Sequence, residues 1–270
     1  MNKCFVKSET CFVKASFIKT SFLILSLGAA TLACGCSKQK SRNELGYEEL
    51  KQQAYADLSN KREDSASEYL EEIVTRFSDR QDISQHKLAL AETYFKLGKF
   101  PSAYELYNNF AQFYPSDENA EYAKYRAVLA KFYQTLNPNC DQSTTIEATK
   151  LCKEYLDTPA YKKYSSDIRD IQHTCEFKLI DKEVYVFNFY LNQKKYTAAQ
   201  NRINALEKEY LPKNPSLEAR ILYLKCQLAK KQKKNSEFKQ HLEQLLIKFP
   251  DSQFTQLASG TRKKPTDIFF

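Results

Sequence analysis

From residue 44 to about residue 250, apolar side chains recur at helical spacing, with charged residues filling the positions between. The breaks between periodic segments are brief. Prolines mark many of them: Pro101, Pro115, Pro138, Pro159, Pro212, Pro215, Pro250 and Pro265. None falls in the middle of a strongly periodic segment, as expected where one helix follows another. The clearest unit runs from Leu90 to Pro115, LAETYFKLGKFPSAYELYNNFAQFYP. Its logic is that of a helical hairpin. Gly98 lets the chain leave the first helix in a left-handed conformation. Ala103 is small enough for the second helix to approach the first closely. Tyr94, Phe100 and Tyr107 fill the space between them, and Pro115 stops the second helix.

Weaker copies flank this unit. Upstream, Tyr55 to Phe77 carries Ala66 at the close-approach position, followed by Leu70, Ile73 and Phe77. Downstream, a first helix ends at 189–196, and Ala199, Ile203, Leu206 and Tyr210 repeat the second-helix pattern ahead of Pro212. A last pair covers 216–233 and 235–249, with Phe238, Leu242, Leu245, Leu246 and Phe249 on one side. A degenerate pair lies at 118–135 and 144–157. The stretch 165–194 reads as the first helix of a fourth pair with an N-terminal extension. Irregular chain is expected near 136–145 and 157–166.

Ala66 and Ala103 stand about 37 residues apart, near the roughly 34-residue period of the tetratricopeptide repeat, which the unit resembles. The fold class is therefore all-α: a right-handed superhelical array of about five tetratricopeptide-like helix pairs over 44–250. No pair buries its apolar face alone, so stacking against neighbours completes the core. Residues 251–270 read as a polar C-terminal tail, expected to be disordered despite Ile268, Phe269 and Phe270.

Composition sharpens this picture. The chain has 270 residues but only five glycines, and Gly28 and Gly35 lie in an N-terminal apolar stretch. Gly46, Gly98 and Gly260 leave little room for hairpin turns or phosphate-cradling loops. The formal charge is +8; Lys3, Lys7, Lys14 and Lys19 against Glu9 place +3 of it in residues 1–36. The remaining body, about +5, interleaves both signs and reads as ordinary solubilising charge. A mildly basic body also suits an acidic partner surface or anionic head groups.

The N-terminus carries an export address. Residues 1–21 are basic and polar, and FLILSLGAATLA (22–33) is an apolar core of twelve residues. About 20 are needed for a membrane-spanning helix, so the run is too short to span. A basic region, a short apolar core and small residues after it describe a signal peptide, residues 1–35. The following LACGCSKQK resembles the lipobox of bacterial lipoproteins, in which the signal is cut before a cysteine that receives a diacylglyceryl thioether. Gly35-Cys36-Ser37 makes Cys36 the lipidation site, with Cys34 as the alternative. Residues 36–43 then form a lipidated linker. Acyl chains contribute about 0.8 kcal/mol per buried methylene, so several hold a protein durably at a membrane.

No constellation for chemistry appears. His86, His173 and His241 are scattered and form no HExxH. His173 and Cys175 point about 200° apart on a helix, which argues against a shared metal. GxSxG, GxxxxGK and GxGxxG are absent. Cys140, Cys152, Cys175 and Cys226 show no CxxC spacing and read as free thiols, although export permits disulfides. The run Lys230-Lys231-Gln232-Lys233-Lys234 sits at a helix end, where the dipole favours cations. No catalytic residue, metal, non-lipid cofactor or nucleic acid partner is expected.

The lipobox, the helix pairs and a mature length of about 234 residues together resemble the BamD (YfiO/ComL) family of outer-membrane assembly lipoproteins. The residues that carry the resemblance are GCSKQK at the mature start; Phe110, Tyr114-Pro115 and the Tyr-x-x-Tyr pattern of Tyr122 and Tyr125; and YTAAQNRINALEKEY (196–210), with Asn201 and Arg202. Two features depart from the family: the third repeat lacks its usual aromatic pattern, and the approach to the fourth is reduced to Ile168-Arg169-Asp170. The resemblance implies a non-enzymatic scaffold of the outer-membrane β-barrel assembly complex. It would be held by diacylglycerol and an N-acyl chain at Cys36 on the periplasmic face of the outer membrane. Implied partners are the periplasmic domains of the barrel-forming BamA-like subunit, other assembly lipoproteins and unfolded outer-membrane protein clients. Subunit docking falls on the C-terminal repeats and client recognition on the N-terminal ones; Asn201, Arg202, Tyr122 and Tyr125 are the contact candidates. A secretion-system pilotin or a cell-envelope coordination factor is the alternative reading.

Overall fold

A computed structural model provides the structure, which describes residues 41–261. The expected signal segment, with Cys34 and Cys36, lies outside the described residues, as does the stretch from residue 262 onward. The described residues hold eleven α-helices and no strand. Ten of them form five hairpins: α1 (Tyr47–Ser59) with α2 (Glu63–Arg76), α3 (Ile83–Lys96) with α4 (Phe100–Phe113), α5 (Ala120–Tyr133) with α6 (Ser143–Asp157), α7 (Ser165–Asn192) with α8 (Tyr196–Ala205), and α9 (Glu218–Lys231) with α10 (Asn235–Lys248). Each hairpin packs on the next in sequence, so the array is continuous.

Four of the five hairpins turn in the same way. The first helix ends, and three residues later the second begins. The middle residue is left-handed: Lys61 at φ 56°, Gly98 at 72°, Lys194 at 58° and Lys233 at 61°. The next amide donates five residues back. Arg62 bonds Asp57 O, Lys99 bonds Tyr94 O, Lys195 bonds Tyr190 O and Lys234 bonds Ala229 O, each at 2.9 Å. This is the Schellman closure, and it satisfies carbonyls that a helix end otherwise leaves without partners. The role read for Gly98 holds, and three lysines take the same role at the other turns.

The close-approach alanines behave as their size requires. Ala66, Ala103 and Ala199 are fully buried, with Leu70 and Ile73, Tyr107 and Phe110, and Ile203 and Leu206 following on the same inner faces. Burying each large side chain contributes roughly 1.5–3 kcal/mol. One detail differs from the expectation. Phe100 does not fill its own hairpin alone but stacks on Tyr133 of α5, with ring centroids 5.0 Å apart.

Three of the five second helices end on an aromatic residue. Phe77, Tyr114 and Phe249 cap α2, α4 and α10 in a non-helical conformation, with ψ between 41° and 55°, each donating its amide four residues back. In the fourth pair this stop is delayed, and α8 runs on through a π-helical turn, Leu206–Tyr210, before Pro212. The third pair is the irregular one, as the sequence indicated. Its turn is the long segment 134–142, laid along α7 by Lys178 Nζ on Thr135 Oγ1 (2.5 Å) and Lys182 Nζ on the Cys140 carbonyl (3.2 Å). The 28-residue α7 serves two cores. Ile168, Ile171 and Cys175 close the core with α5 and α6, while Ile180, Phe187 and Leu191 close the next with α8 and α9.

The C-terminal segment departs from the expected disordered tail. Residues Gln253–Ser259 form a short helix, α11, capped by Ser252 Oγ accepting from the Phe254 amide. Phe254 and Ala258 cover the face of α9 that carries Leu222 and Cys226. Thr255 Oγ1 donates to the Phe249 carbonyl at 2.6 Å. The last hairpin has an apolar face with no sixth pair to cover it, and that tertiary demand orders a segment too short to show a period of its own.

Candidate interaction surface

The first helices of pairs two and three carry a connected aromatic and charged cluster. Tyr122 donates its hydroxyl to Glu92 Oε1 on α3 at 2.5 Å. Arg126, one turn further along α5, donates Nη2 to Glu92 Oε2 at 3.0 Å and Nε to the Tyr107 hydroxyl at 3.2 Å. Its guanidinium lies 3.8 Å from the Phe95 ring centroid, a cation–π contact. Tyr125 stacks on Tyr164 at 4.4 Å with the rings 9° from parallel. Burial first, then the Glu92 carboxylate, hold the Tyr122 hydroxyl above its ordinary pKa, so it remains a donor. Beside this cluster Phe95, Phe100 and Tyr133 form an aromatic strip, with Tyr133 53% exposed. The two predicted tyrosines are thus half-buried, Tyr122 in the joint between pairs two and three and Tyr125 against Tyr164 at the core that pair three shares with α7.

Asn201 and Arg202 sit elsewhere, on α8 in the fourth pair. Asn201 is exposed. Arg202 Nη1 pairs with Glu183 Oε2 on α7 at 3.2 Å, and its buried Nε has no hydrogen-bond partner among the described residues. Arg220 with Asp181 (2.6 Å) and Lys225 with Glu207 (2.7 Å) continue this ion-pair ladder between the last pairs. The candidates therefore divide into two separate places on the array rather than one site.

A third cluster escaped the sequence. His86 on α3 is buried between two tyrosines of α1, with Nε2 2.8 Å from the Tyr47 hydroxyl and Nδ1 3.1 Å from the Tyr55 hydroxyl. Tyr47 donates to Asp82, which also takes Lys51 Nζ at 3.2 Å. With the Tyr47 proton committed to Asp82, its oxygen accepts from Nε2–H, and Tyr55 donates to Nδ1. The neutral ring therefore satisfies every group. Burial, above all, lowers the His86 pKa. The available signals were the spacing of Tyr47 and Tyr55, two turns apart on one helix face, and Asp82 one turn before His86.

A groove of about 660 Å³ opens between α7, α9, α10 and α11, lined by Leu191, Tyr223, Phe238 and Leu257 with Asn188 and Gln227 among them. Lys230 and Lys231 also line it, so its walls mix apolar side chains with amides and ammonium groups, which suits an extended peptide.

The described residues contain no group of three or more His, Cys, Asp or Glu arranged to hold a metal. Burial pushes the Cys152 thiol up to about 12, with Cys175 also raising it, and pushes Cys226 up to about 11. All four described cysteines are free, and Cys140 alone is exposed. Raised thiols of this kind are poor nucleophiles. The surface offers aromatic faces and fixed donors, which are means of binding.

The chain is similar to the outer membrane protein assembly factor BamD of Rickettsia prowazekii (strain Madrid E), 24% identical over 187 residues, covering 68% of this chain and 74% of that protein. The family YfiO, described as outer membrane lipoprotein, matches residues 44–236, from the first hairpin into the last. With that match over most of its length, the chain belongs to the YfiO family of outer membrane lipoproteins.

Proposed function

We propose that the protein is the lipid-anchored scaffold of the outer-membrane β-barrel assembly machinery and acts by protein–protein binding. The observation that carries this reading is the family match across residues 44–236, which takes in four hairpins and the first helix of the fifth, together with a relative named as an assembly factor. Cys36 receives the diacylglycerol and N-acyl chains, with Cys34 as the competing site, and holds the array at the periplasmic face of the outer membrane. The N-terminal hairpins, with the aromatic strip near Tyr122 and Tyr125, receive unfolded barrel clients. The fourth and fifth pairs, with Asn201 and Arg202, dock the periplasmic domains of a BamA-like subunit, and the remaining assembly lipoproteins join there. No step of this role calls for catalysis. Affinity purification of the full chain from detergent-solubilised envelopes is the test. The reading expects a large outer-membrane barrel protein among the partners; recovery of secretion or cell-wall components alone contradicts it.

A further inference from the structure

Each hairpin repeats one up-and-down course, so all turns from first to second helix lie on one edge of the array. In the fourth and fifth pairs the two turns are neighbours, since the Tyr196 hydroxyl at the start of α8 donates to the Lys231 carbonyl at the end of α9 at 3.2 Å. This edge departs from the local rules of helix ends in two ways. The left-handed positions of pairs one, four and five hold Lys61, Lys194 and Lys233, where glycine avoids the strain. At Gly98 an added Cβ meets nothing within 4 Å, so space does not decide between glycine and a larger residue there. The next position, the N-cap, holds Arg62, Lys99, Lys195 and Lys234. Ser, Thr, Asp and Asn are the stabilising caps, and a helix N-terminus disfavours cations. None of the four makes a side-chain cap bond. Helix-dipole compensation explains Lys230 and Lys231 at the end of α9, but it runs the wrong way for these residues. Local strain and unfavourable charge repeated at one place point to a use for the place.

We propose that the turn edge of the fourth and fifth pairs, with Lys194, Lys195, Lys230, Lys231 and Lys233, is a cationic platform that rests on anionic phospholipid head groups. All five side chains are exposed, and none forms an ion pair among the described residues; Lys234 is set apart by its pair with Glu237 at 2.9 Å. The patch is all lysine, and flexible point charges suit a diffuse anionic layer better than the bidentate geometry in which arginine excels. Lys230 and Lys231 stand at the rim of the neighbouring groove, while Lys194, Lys195 and Lys233 stand outside its lining and face the surface. This contact is independent of any role in barrel assembly.

The test is co-sedimentation of residues 37–270, which contain all five apolar cores, with vesicles. One set contains phosphatidylethanolamine with phosphatidylglycerol, the other phosphatidylcholine alone. Each lysine near an anionic layer is worth about fivefold in partitioning. Replacing the five by Gln is therefore expected to lower binding to the anionic vesicles by at least about tenfold, and wild-type binding should fall steeply with salt. A charge-matched control, Gln at the exposed Lys150, Lys153, Lys162, Lys208 and Lys213, is expected to retain most of it. Equal binding to neutral vesicles, or equal loss in both variants, overturns the proposal. So does capture by a polyglutamate peptide without vesicle binding, which assigns the edge to an acidic protein.

Discussion

The left-handed lysines allow a quantitative test of the repeat geometry. Lys61, Lys194 and Lys233 share φ values of 56–61° and the same 2.9 Å Schellman bond that closes the turn at Gly98. A residue with a Cβ in this conformation carries about 1–2 kcal/mol of strain. Glycine removes it but loses more chain entropy on folding, roughly 0.5–1 kcal/mol. Each Lys→Gly change is therefore expected to stabilise the fold by about 0.5–1 kcal/mol, and the three together by about 2 kcal/mol. Gly98→Ala is the mirror experiment. Its Cβ has open space, so it is expected to destabilise by the same 0.5–1 kcal/mol or so through the backbone alone. Urea unfolding followed by circular dichroism measures all four as shifts in midpoint at constant slope. Because the three lysine turns lie in different hairpins, their effects should add to within about 0.5 kcal/mol. A triple Lys→Gly variant no more stable than the parent would refute the shared geometry.

Other expectations follow from the same contacts. Ala103→Leu inserts bulk at a fully buried close-approach position and should cost about 1–3 kcal/mol, read as a lowered Tm. Arg126→Met removes the cation paired with Glu92, which keeps only the Tyr122 hydroxyl, and the donor to Tyr107, in a half-buried site. After discounting for solvent, a loss of about 1–3 kcal/mol is expected, and a double-mutant cycle with Glu92→Gln should show coupling between the two. His86 is held below its ordinary pKa by burial, so the unfolded chain binds the proton more readily than the folded one. Stability is then complete above the unfolded value of 6.5 and declines as pH falls below it. His86→Gln should flatten that part of a stability profile measured from neutral pH to about 5; an unchanged slope contradicts the assignment. Mass spectrometry of the mature N-terminus should find the acyl chains on Cys36, and a signal at Cys34 instead would move the anchor.

The hairpins were legible because their cause is local. Helical period, one glycine at a turn and alanines at close approach are each written in a few consecutive residues, and five pairs follow from them. What escaped depends on tertiary partners. Lysine carries no preference for left-handed backbone, so nothing at Lys61, Lys194 or Lys233 announces the turn that Gly98 does. Helix α11 forms because α9 and α10 leave a face uncovered; Phe254, Leu257 and Ala258 have helical spacing, but one turn of it is too short to read as a helix. Tyr122 and Tyr125 were found by resemblance, but their partners Glu92 and Tyr164 lie about 30 and 39 residues away and come into reach only once hairpins stack. His86 looked isolated in sequence for the same reason.

The central claim is that this array is a scaffold for assembling outer-membrane barrel proteins. Depletion of the protein in its native cell, followed by quantitative proteomics of the outer membrane, addresses it most directly. The account predicts that many unrelated barrel proteins fall together while inner-membrane proteins stay constant. Loss of a single secretion apparatus, with the other barrel proteins unchanged, would contradict it.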